Sequence, residues 1–261
     1  MVLSRIILVL LAMAGPALAA LAPIPAQAQG QAKPKAKPAA AAPKPVVYPG
    51  DPHVALETTM GTIVLRIHAD RAPLTAANFL KYVDTGRYNG QPFYRTTRNW
   101  GADSTLIQMG VRTDGRLVLP PVAHEPTTVT GLMHCPGSVS LARGAPGSGT
   151  SDVFLALGPI YGFDADPKAA KDNPAGDYAG FAVFAELVGG WSVAQAIAAA
   201  PVSDTLGTGV MKGQMLAAPV RITRAHRVPP PAAMDAAKPR PGCVVRPAAP
   251  APAAAPAPGK P

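Results

Sequence analysis

Short segments of alternating apolar residues constrain the fold of this chain more than any other feature. Apolar side chains occupy every second position of 54–56 and 63–67, on the two sides of a turn at Thr59-Met60-Gly61. This pattern is typical of a β-hairpin with one buried face. The same alternation predicts further strands near residues 93–95, 139–141, 153–155, 181–187 and 220–222.

Two amphipathic helices interrupt these strands. Thr75 is a candidate N-cap of the first helix, and Gly86 stands where a C′ glycine belongs. Ser192 and Gln195 form a capping-box pattern for the second helix, which must stop before Pro201. Strands and helices do not alternate as in βαβ units. The sequence therefore predicts a mainly β fold, a closed antiparallel barrel of about eight strands capped by two helices.

Residues 1–28 are predicted to be a signal peptide. Arg5 precedes a short apolar core, and small-residue cleavage sites follow at Ala17-Leu18-Ala19 and Ala26-Gln27-Ala28. The polar linker that follows Ala28 favours the second site. An uncleaved anchor is the alternative, but the apolar run is short for a bilayer span. We expect an exported, periplasmic protein without stable membrane insertion after cleavage. Such an oxidising compartment would permit a disulfide between Cys135 and Cys243, which the sequence leaves open.

Composition separates the folded part from its flanks. Residues 29–46 form an Ala/Pro/Lys-rich linker, and residues 229–261 form a Pro/Ala-rich tail that is expected to be disordered. Nine of the 24 basic residues, but only one of the 15 acidic residues, lie outside 46–227. The remaining domain, 47–228, is close to neutral. A nucleic-acid groove is therefore not expected in the folded part.

A strand motif supplies the candidate chemistry. Phe93-Tyr94-Arg95 places an arginine beside two aromatic residues, and strand alternation predicts that Phe93 and Arg95 point the same way. Gln108 follows in the next apolar segment and could reach the guanidinium. Taken alone, these residues could equally be core and surface residues of an ordinary strand.

Five short motifs in a fixed order resemble the cyclophilins, which are peptidyl-prolyl isomerases. The resemblance covers roughly residues 54–228. The motifs are Gly61-Thr62-Ile63, Thr75-Ala76-Ala77-Asn78-Phe79, Phe93-Tyr94-Arg95, Ser140-Leu141-Ala142-Arg143 and Gly180-Phe181-Ala182-Val183-Phe184.

The resemblance implies a non-covalent isomerase. Rotation about a prolyl bond has a barrier of about 18–20 kcal/mol, and the twisted nitrogen can accept a hydrogen bond. Arg95 would donate that bond mainly in the transition state. The implied substrate-binding residues are Phe93, Gln108, Leu141, Ala142, Phe154 and Phe181, with Asp152 and Phe163 as further candidates. No cofactor is required, and the five histidines show no metal-ligand spacing. The expected partners are proline-containing polypeptides, and a monomer is expected.

Departures from the family pattern keep a second function open. The separation of Arg95 from Gln108 is longer than in most cyclophilins, with extra residues around 100–103. In the family a phenylalanine forms one wall of the slot for the proline ring, and it aligns with Thr105 here. Trp100 or Leu106 would have to replace that wall. The alternative is a catalytically weak domain that binds proline-containing segments as a chaperone or scaffold. A carrier of apolar ligands has less support.

Overall fold

Eight antiparallel strands close into a barrel in the computed structural model, which describes residues 51–97 and 105–231. The strands are β1 His53–Thr58, β2 Gly61–Ile67, β3 Pro92–Thr97, β4 Leu106–Met109, β5 Ser138–Leu141, β6 Val153–Ala156, β7 Ala182–Gly189 and β8 Met215–Val228. Around the barrel they follow the order β1-β2-β7-β5-β6-β4-β3-β8. The predicted barrel is confirmed.

The barrel interior is a continuous apolar core. Directly paired residues on β3, β4, β6 and β5 point to the same side of the sheet. Phe93 pairs with Met109, Met109 with Val153, and Val153 with Leu141. All four side chains are buried in one core cluster, which also includes residues of the helices. Each such buried side chain stabilises the fold by about 1.5–3 kcal/mol.

Two longer helices match the predicted pair, and two short helices were not predicted. The helices are α1 Pro73–Asp84, α2 Thr127–Thr130, α3 Pro167–Asp172 and α4 Trp191–Ala199. Gly86 adopts a positive φ of +67° just beyond α1, as expected of a C′ glycine. No helix in the described ranges is long and apolar enough to cross a bilayer.

The predicted N-cap of α1 is wrong, because a distant carboxylate takes its role. The helix begins two residues before Thr75, after Ala72, whose side chain makes no capping bond. The backbone N–H and the hydroxyl of Thr75 both donate to Glu125, at 2.7 and 2.6 Å. Leu74 donates its N–H to the same carboxylate at 3.1 Å. A negative group at a helix N-terminus also interacts favourably with the helix dipole.

The predicted capping box of α4 is also wrong. The helix begins at Trp191, one residue before Ser192, and follows Gly190 at a φ of +79°. A Cβ at Gly190 would overlap the carbonyl oxygen of Thr62 on β2. The close approach of two backbones therefore fixes the helix start, and it requires glycine there.

Several predictions concern segments outside the described residues. The signal peptide, the linker to residue 46 and the tail from residue 232 belong to these, as does the lengthened turn at 98–104. Cys243 lies there too, so its pairing with Cys135 stays a prediction.

Candidate active site

A β-bulge at Tyr94 sets the direction of Arg95. Phe93 pairs with Met109 on β4, whereas Arg95 pairs with Gln108, so β3 carries one extra residue between the two pairs. Gln108 and Met109 are consecutive and point to opposite faces of the sheet. Phe93 therefore points into the barrel and Arg95 out of it. The prediction that they share a face is wrong, because regular alternation does not hold across a bulge.

An outer row of side chains results from this register. Arg95 on β3 pairs with Gln108 on β4, Gln108 with Phe154 on β6, and Phe154 with Ser140 on β5. Paired residues on neighbouring strands share a face of the sheet. The arginine, the amide and the aromatic ring that the sequence singled out thus lie on one outer face.

Two glutamines hold the Arg95 guanidinium. Its Nη1 donates to Gln108 Oε1 at 2.8 Å, and its Nε and Nη2 donate to Gln214 Oε1 at 2.9 and 2.6 Å. The arginine is only 9% exposed, and this burial lowers its pKa. Each of these bonds ends on a neutral amide oxygen. They orient the guanidinium without neutralising its charge.

Sequence reasoning missed Gln214. It immediately precedes β8 and lies 119 residues after Arg95. Its side-chain Nε2 donates to the backbone carbonyl of Val210 at 2.6 Å, so the amide is held on one side by Val210 and on the other by Arg95. Its backbone carbonyl accepts from the N–H of Thr96 at 2.9 Å, which fixes the position of the main chain. A single glutamine in a glycine-rich stretch gives no local signal of this role.

An aromatic cluster lies beside Gln108 on the same face. Phe154 packs with Phe163 and Phe181, each at a ring-centroid distance of 5.5 Å and nearly perpendicular. Phe163 and Phe181 lie 4.8 Å apart and are half-buried. Buried side chains complete the cluster, and Ala142 packs against it. Those buried members are Leu106, Ala156 and Ile160.

The structure separates the residues predicted for the proline slot. Phe154, Phe163, Phe181 and Ala142 come together in the outer cluster, whereas Phe93 and Leu141 lie in the interior core. Those two side chains therefore do not belong to the outer cluster. Leu106 stands in the cluster, as one of the two predicted replacements for the missing wall, and Trp100 lies outside the described residues.

His134 supports the aromatic cluster from below and was assigned no role from the sequence. Its imidazole is fully buried and stacks on Phe154, with ring centroids 5.8 Å apart. Nδ1 lies 2.7 Å from Asp164 Oδ1, and Nε2 lies 3.1 Å from Ser140 Oγ. Asp164 immediately follows Phe163, so this bridge ties the cluster-bearing loop to β5.

Asp152 is held beside the outer row by Tyr94. The Tyr94 hydroxyl donates to Asp152 Oδ1, and the Ser151 hydroxyl donates to the other carboxylate oxygen at 3.1 Å. Burial raises the pKa of Tyr94, and the negative charge of Asp152 raises it further. The Arg112 guanidinium lies 4.6 Å from the centre of the Tyr94 ring. Asp152 is therefore a fixed acceptor at the edge of the site.

Arg143 fastens the loop that carries Phe181. Its guanidinium donates to both carboxylate oxygens of Asp177, at 2.6 and 3.0 Å, and to the carbonyl of Gly180 at 2.8 Å. These bonds lower the pKa of Asp177. The guanidinium also lies 5.0 Å from the centre of the Phe181 ring. Arg143 thus stiffens one wall of the cluster.

Two clefts of the described residues do not include the outer row. One cleft of about 520 Å³ lies between the loops around Pro126, Pro146 and Tyr178. Another, of about 440 Å³, lies between α1 and residues 119–123. Neither lining includes Arg95 or Phe154. No group of three potential metal ligands occurs in the described part of the chain.

Comparisons with known proteins point to one family. Residues 53–227 match the family model described as cyclophilin type peptidyl-prolyl cis-trans isomerase. Peptidyl-prolyl cis-trans isomerase A of Dickeya dadantii is 33% identical over 151 residues, covering 56% of this chain and 70% of the relative. The peptidyl-prolyl cis-trans isomerase of Acinetobacter baylyi is 28% identical over 151 residues, covering 58% of this chain and 73% of the relative.

Solved structures show the same fold. A Cryptosporidium parvum cyclophilin type peptidyl-prolyl cis-trans isomerase superposes with a TM-score of 0.52 at 15% identity, covering 70% of this chain and all of that one. A second crystal structure of that protein, in the presence of the dipeptide Ala-Pro, gives a TM-score of 0.51.

Proposed function

The chain belongs to the cyclophilin type peptidyl-prolyl cis-trans isomerase family, and we propose that its outer barrel face catalyses this reaction through Arg95. The observation that carries the proposal is the guanidinium itself. It is nearly buried, it is held by the amides of Gln108 and Gln214, and it lies on the same face as the Phe154 cluster.

The proposed mechanism uses no covalent step. In the planar amide the prolyl nitrogen shares its lone pair with the carbonyl, and in the twisted state it regains that pair. A donor fixed at that position binds the twisted state more strongly than either planar isomer, which lowers the barrier. Because both amide partners of Arg95 are neutral, its positive charge is available to the developing lone pair.

The aromatic cluster gives the proline ring an apolar seat. Phe154 forms its floor, and Phe163, Phe181 and Leu106 form its walls. Ala142 would pair its backbone with the residue before proline. Its N–H already donates to the Asp152 carbonyl at 2.8 Å, so that contact has to use the Ala142 carbonyl oxygen.

The deciding experiment is a measurement of turnover. We expect the purified domain to accelerate cis/trans exchange of a short Ala-Pro peptide, measured by NMR exchange spectroscopy without a coupling protease. If the peptide binds without faster exchange, catalysis is rejected. The alternative function, a domain that binds proline-containing segments, would then be favoured.

A first prediction concerns Gln214. Gln214→Leu removes the acceptor of two of the three bonds that orient Arg95, and we expect kcat/KM to fall about tenfold, equivalent to about 1.4 kcal/mol. Gln195→Leu on the exposed face of α4 is the matched control and should leave turnover unchanged. An unchanged kcat/KM in a folded Gln214→Leu protein would show that Gln108 alone positions the arginine.

A second prediction concerns export. The basic start, the short apolar core and the small residues before Ala28 support secretion to a periplasm, where the clients would be exported proteins. The protein isolated from its native cells is expected to begin near Gln29, as read by N-terminal sequencing of the periplasmic fraction. Recovery of a chain that retains Met1 would favour the anchor instead.

A further inference from the structure

Three apolar side chains are exposed together next to the Arg95 site. Leu206, Val210 and Met211 are 51%, 83% and 40% exposed, in the segment between α4 and β8. We call these three residues the apolar loop. Single exposed apolar residues are common on protein surfaces, but a group in one short loop indicates a contact surface.

Backbone bonds hold the apolar loop in shape. The N–H of Gly213 donates to the carbonyl of Leu206 at 3.2 Å, and the N–H of Gln214 donates to that of Met211 at 3.1 Å. The Gln214 side chain connects the loop to the site, because its Nε2 bonds Val210 and its Oε1 accepts from Arg95. The same glutamine therefore sets the position of the guanidinium and of the most exposed apolar residue.

The strand order gives the direction in which a bound peptide would run. Ala142 follows β5 at one end of the outer face, and the strands β6, β4, β3 and β8 come next in that order. Arg95 on β3 pairs with Met215 at the start of β8, directly after the loop. A peptide with its pre-proline residue at Ala142 and its proline at the Phe154 cluster thus runs towards β8. Adjacent strands lie about 4.8 Å apart and an extended chain advances about 3.3 Å per residue, so the loop is one or two residues beyond Arg95.

We propose that the apolar loop is a subsite for a large apolar side chain one or two positions after the isomerised proline. Its partner is an unfolded polypeptide in which an aliphatic or aromatic residue follows closely on proline. Such residues are exposed in chains that have not yet folded and become buried afterwards. The inference rests on the proposed function, because it takes the peptide direction from the prolyl site.

The test compares peptides that differ only after proline. Two series, Ala-Ala-Pro-Yaa-Ala and Ala-Ala-Pro-Ala-Yaa, carry leucine, phenylalanine or serine at Yaa, and NMR exchange gives kcat/KM for each. We expect leucine and phenylalanine to exceed serine about fivefold in one series. Val210→Ser and Met211→Ser should each reduce this ratio towards one. The ratio is the informative quantity, because a general disturbance of the loop lowers kcat/KM for all peptides alike.

Met60→Ser is the matched control, since Met60 is 42% exposed at the tip of the β1–β2 hairpin. This variant should keep the wild-type ratio. Equal kcat/KM for leucine and serine peptides in the wild type, or an unchanged ratio in both loop variants, would overturn the subsite. If the protein turns over none of the peptides, the proposed enzyme fails. NMR titration then gives the affinity of the leucine peptide relative to that of the serine peptide. A ratio that falls in Val210→Ser and Met211→Ser supports the subsite, and a ratio that both variants leave unchanged overturns it.

Discussion

Arg95→Ala is expected to lower kcat/KM for prolyl isomerisation by about 10²–10³-fold, the usual loss when a fixed donor to the transition state is removed. The prolyl nitrogen lone pair is the main new charge that the protein can stabilise, because the reaction makes and breaks no covalent bond. The free energy of unfolding should change by only about 1–2 kcal/mol, since the lost hydrogen bonds are offset by removal of a buried charge. NMR exchange and urea unfolding of the same preparation measure the two quantities.

Two other arginine variants make this result specific. Arg95→Lys keeps the charge but replaces three separate donor nitrogens with a single ammonium, which cannot reproduce the bonds to Gln108 and Gln214, so it should recover little of the lost activity. Arg227→Ala removes a half-buried arginine that pairs with Asp84 at 2.8 Å, away from the outer row. That variant should lose stability and keep its turnover. Turnover near the wild-type rate in folded Arg95→Ala would remove the arginine from the mechanism.

Gly190→Ala is expected to reduce the free energy of unfolding by about 2–5 kcal/mol, from left-handed strain of about 1–2 kcal/mol and overpacking of about 1–3 kcal/mol. The added methyl would overlap the Thr62 carbonyl, and backbone atoms of β2 cannot rotate away. The start of α4 and the β2 strand would have to separate. Urea unfolding measures the loss, provided that the slope of the unfolding free energy against urea concentration is the same in both proteins.

Gly90→Ala separates the two contributions. Gly90 has a φ of +81°, almost the same as Gly190, but no heavy atom lies within 4 Å of the position that an alanine methyl would take there. We therefore expect only the conformational cost of about 1–2 kcal/mol. Equal losses of unfolding free energy in the two variants would mean that β2 moves to accommodate the methyl group. The contact with Thr62 would then not determine where α4 begins.

Local signals predicted much of the fold, and distant contacts explain the errors. The β1–β2 hairpin and Gly86 after α1 depend on neighbouring residues, and both were predicted correctly. The α1 N-terminus was not, because its partner Glu125 lies 50 residues after Thr75. A pattern read within a few residues cannot show which distant side chain satisfies a helix end.

The candidate site shows the same division. The family resemblance identified Arg95, Gln108 and Phe154, which the barrel does bring to one face. The bulge at Tyr94 breaks the alternation that placed Phe93 beside Arg95. Gln214 could not be found, because its contact with Arg95 spans 119 residues and depends on the order of strands.

The closed barrel limits the ways in which an unfolded polypeptide could bind to this protein. All eight strands have two hydrogen-bonded neighbours, including β1 and β8, which close the ring. An unfolded polypeptide often associates by adding a strand to an exposed sheet edge, which can template aggregation. Across the described residues, the barrel offers no such edge to a client. A segment at the proposed site would be held mainly by side chains over a few residues, with a backbone bond to Ala142, and would not become a ninth strand of the sheet.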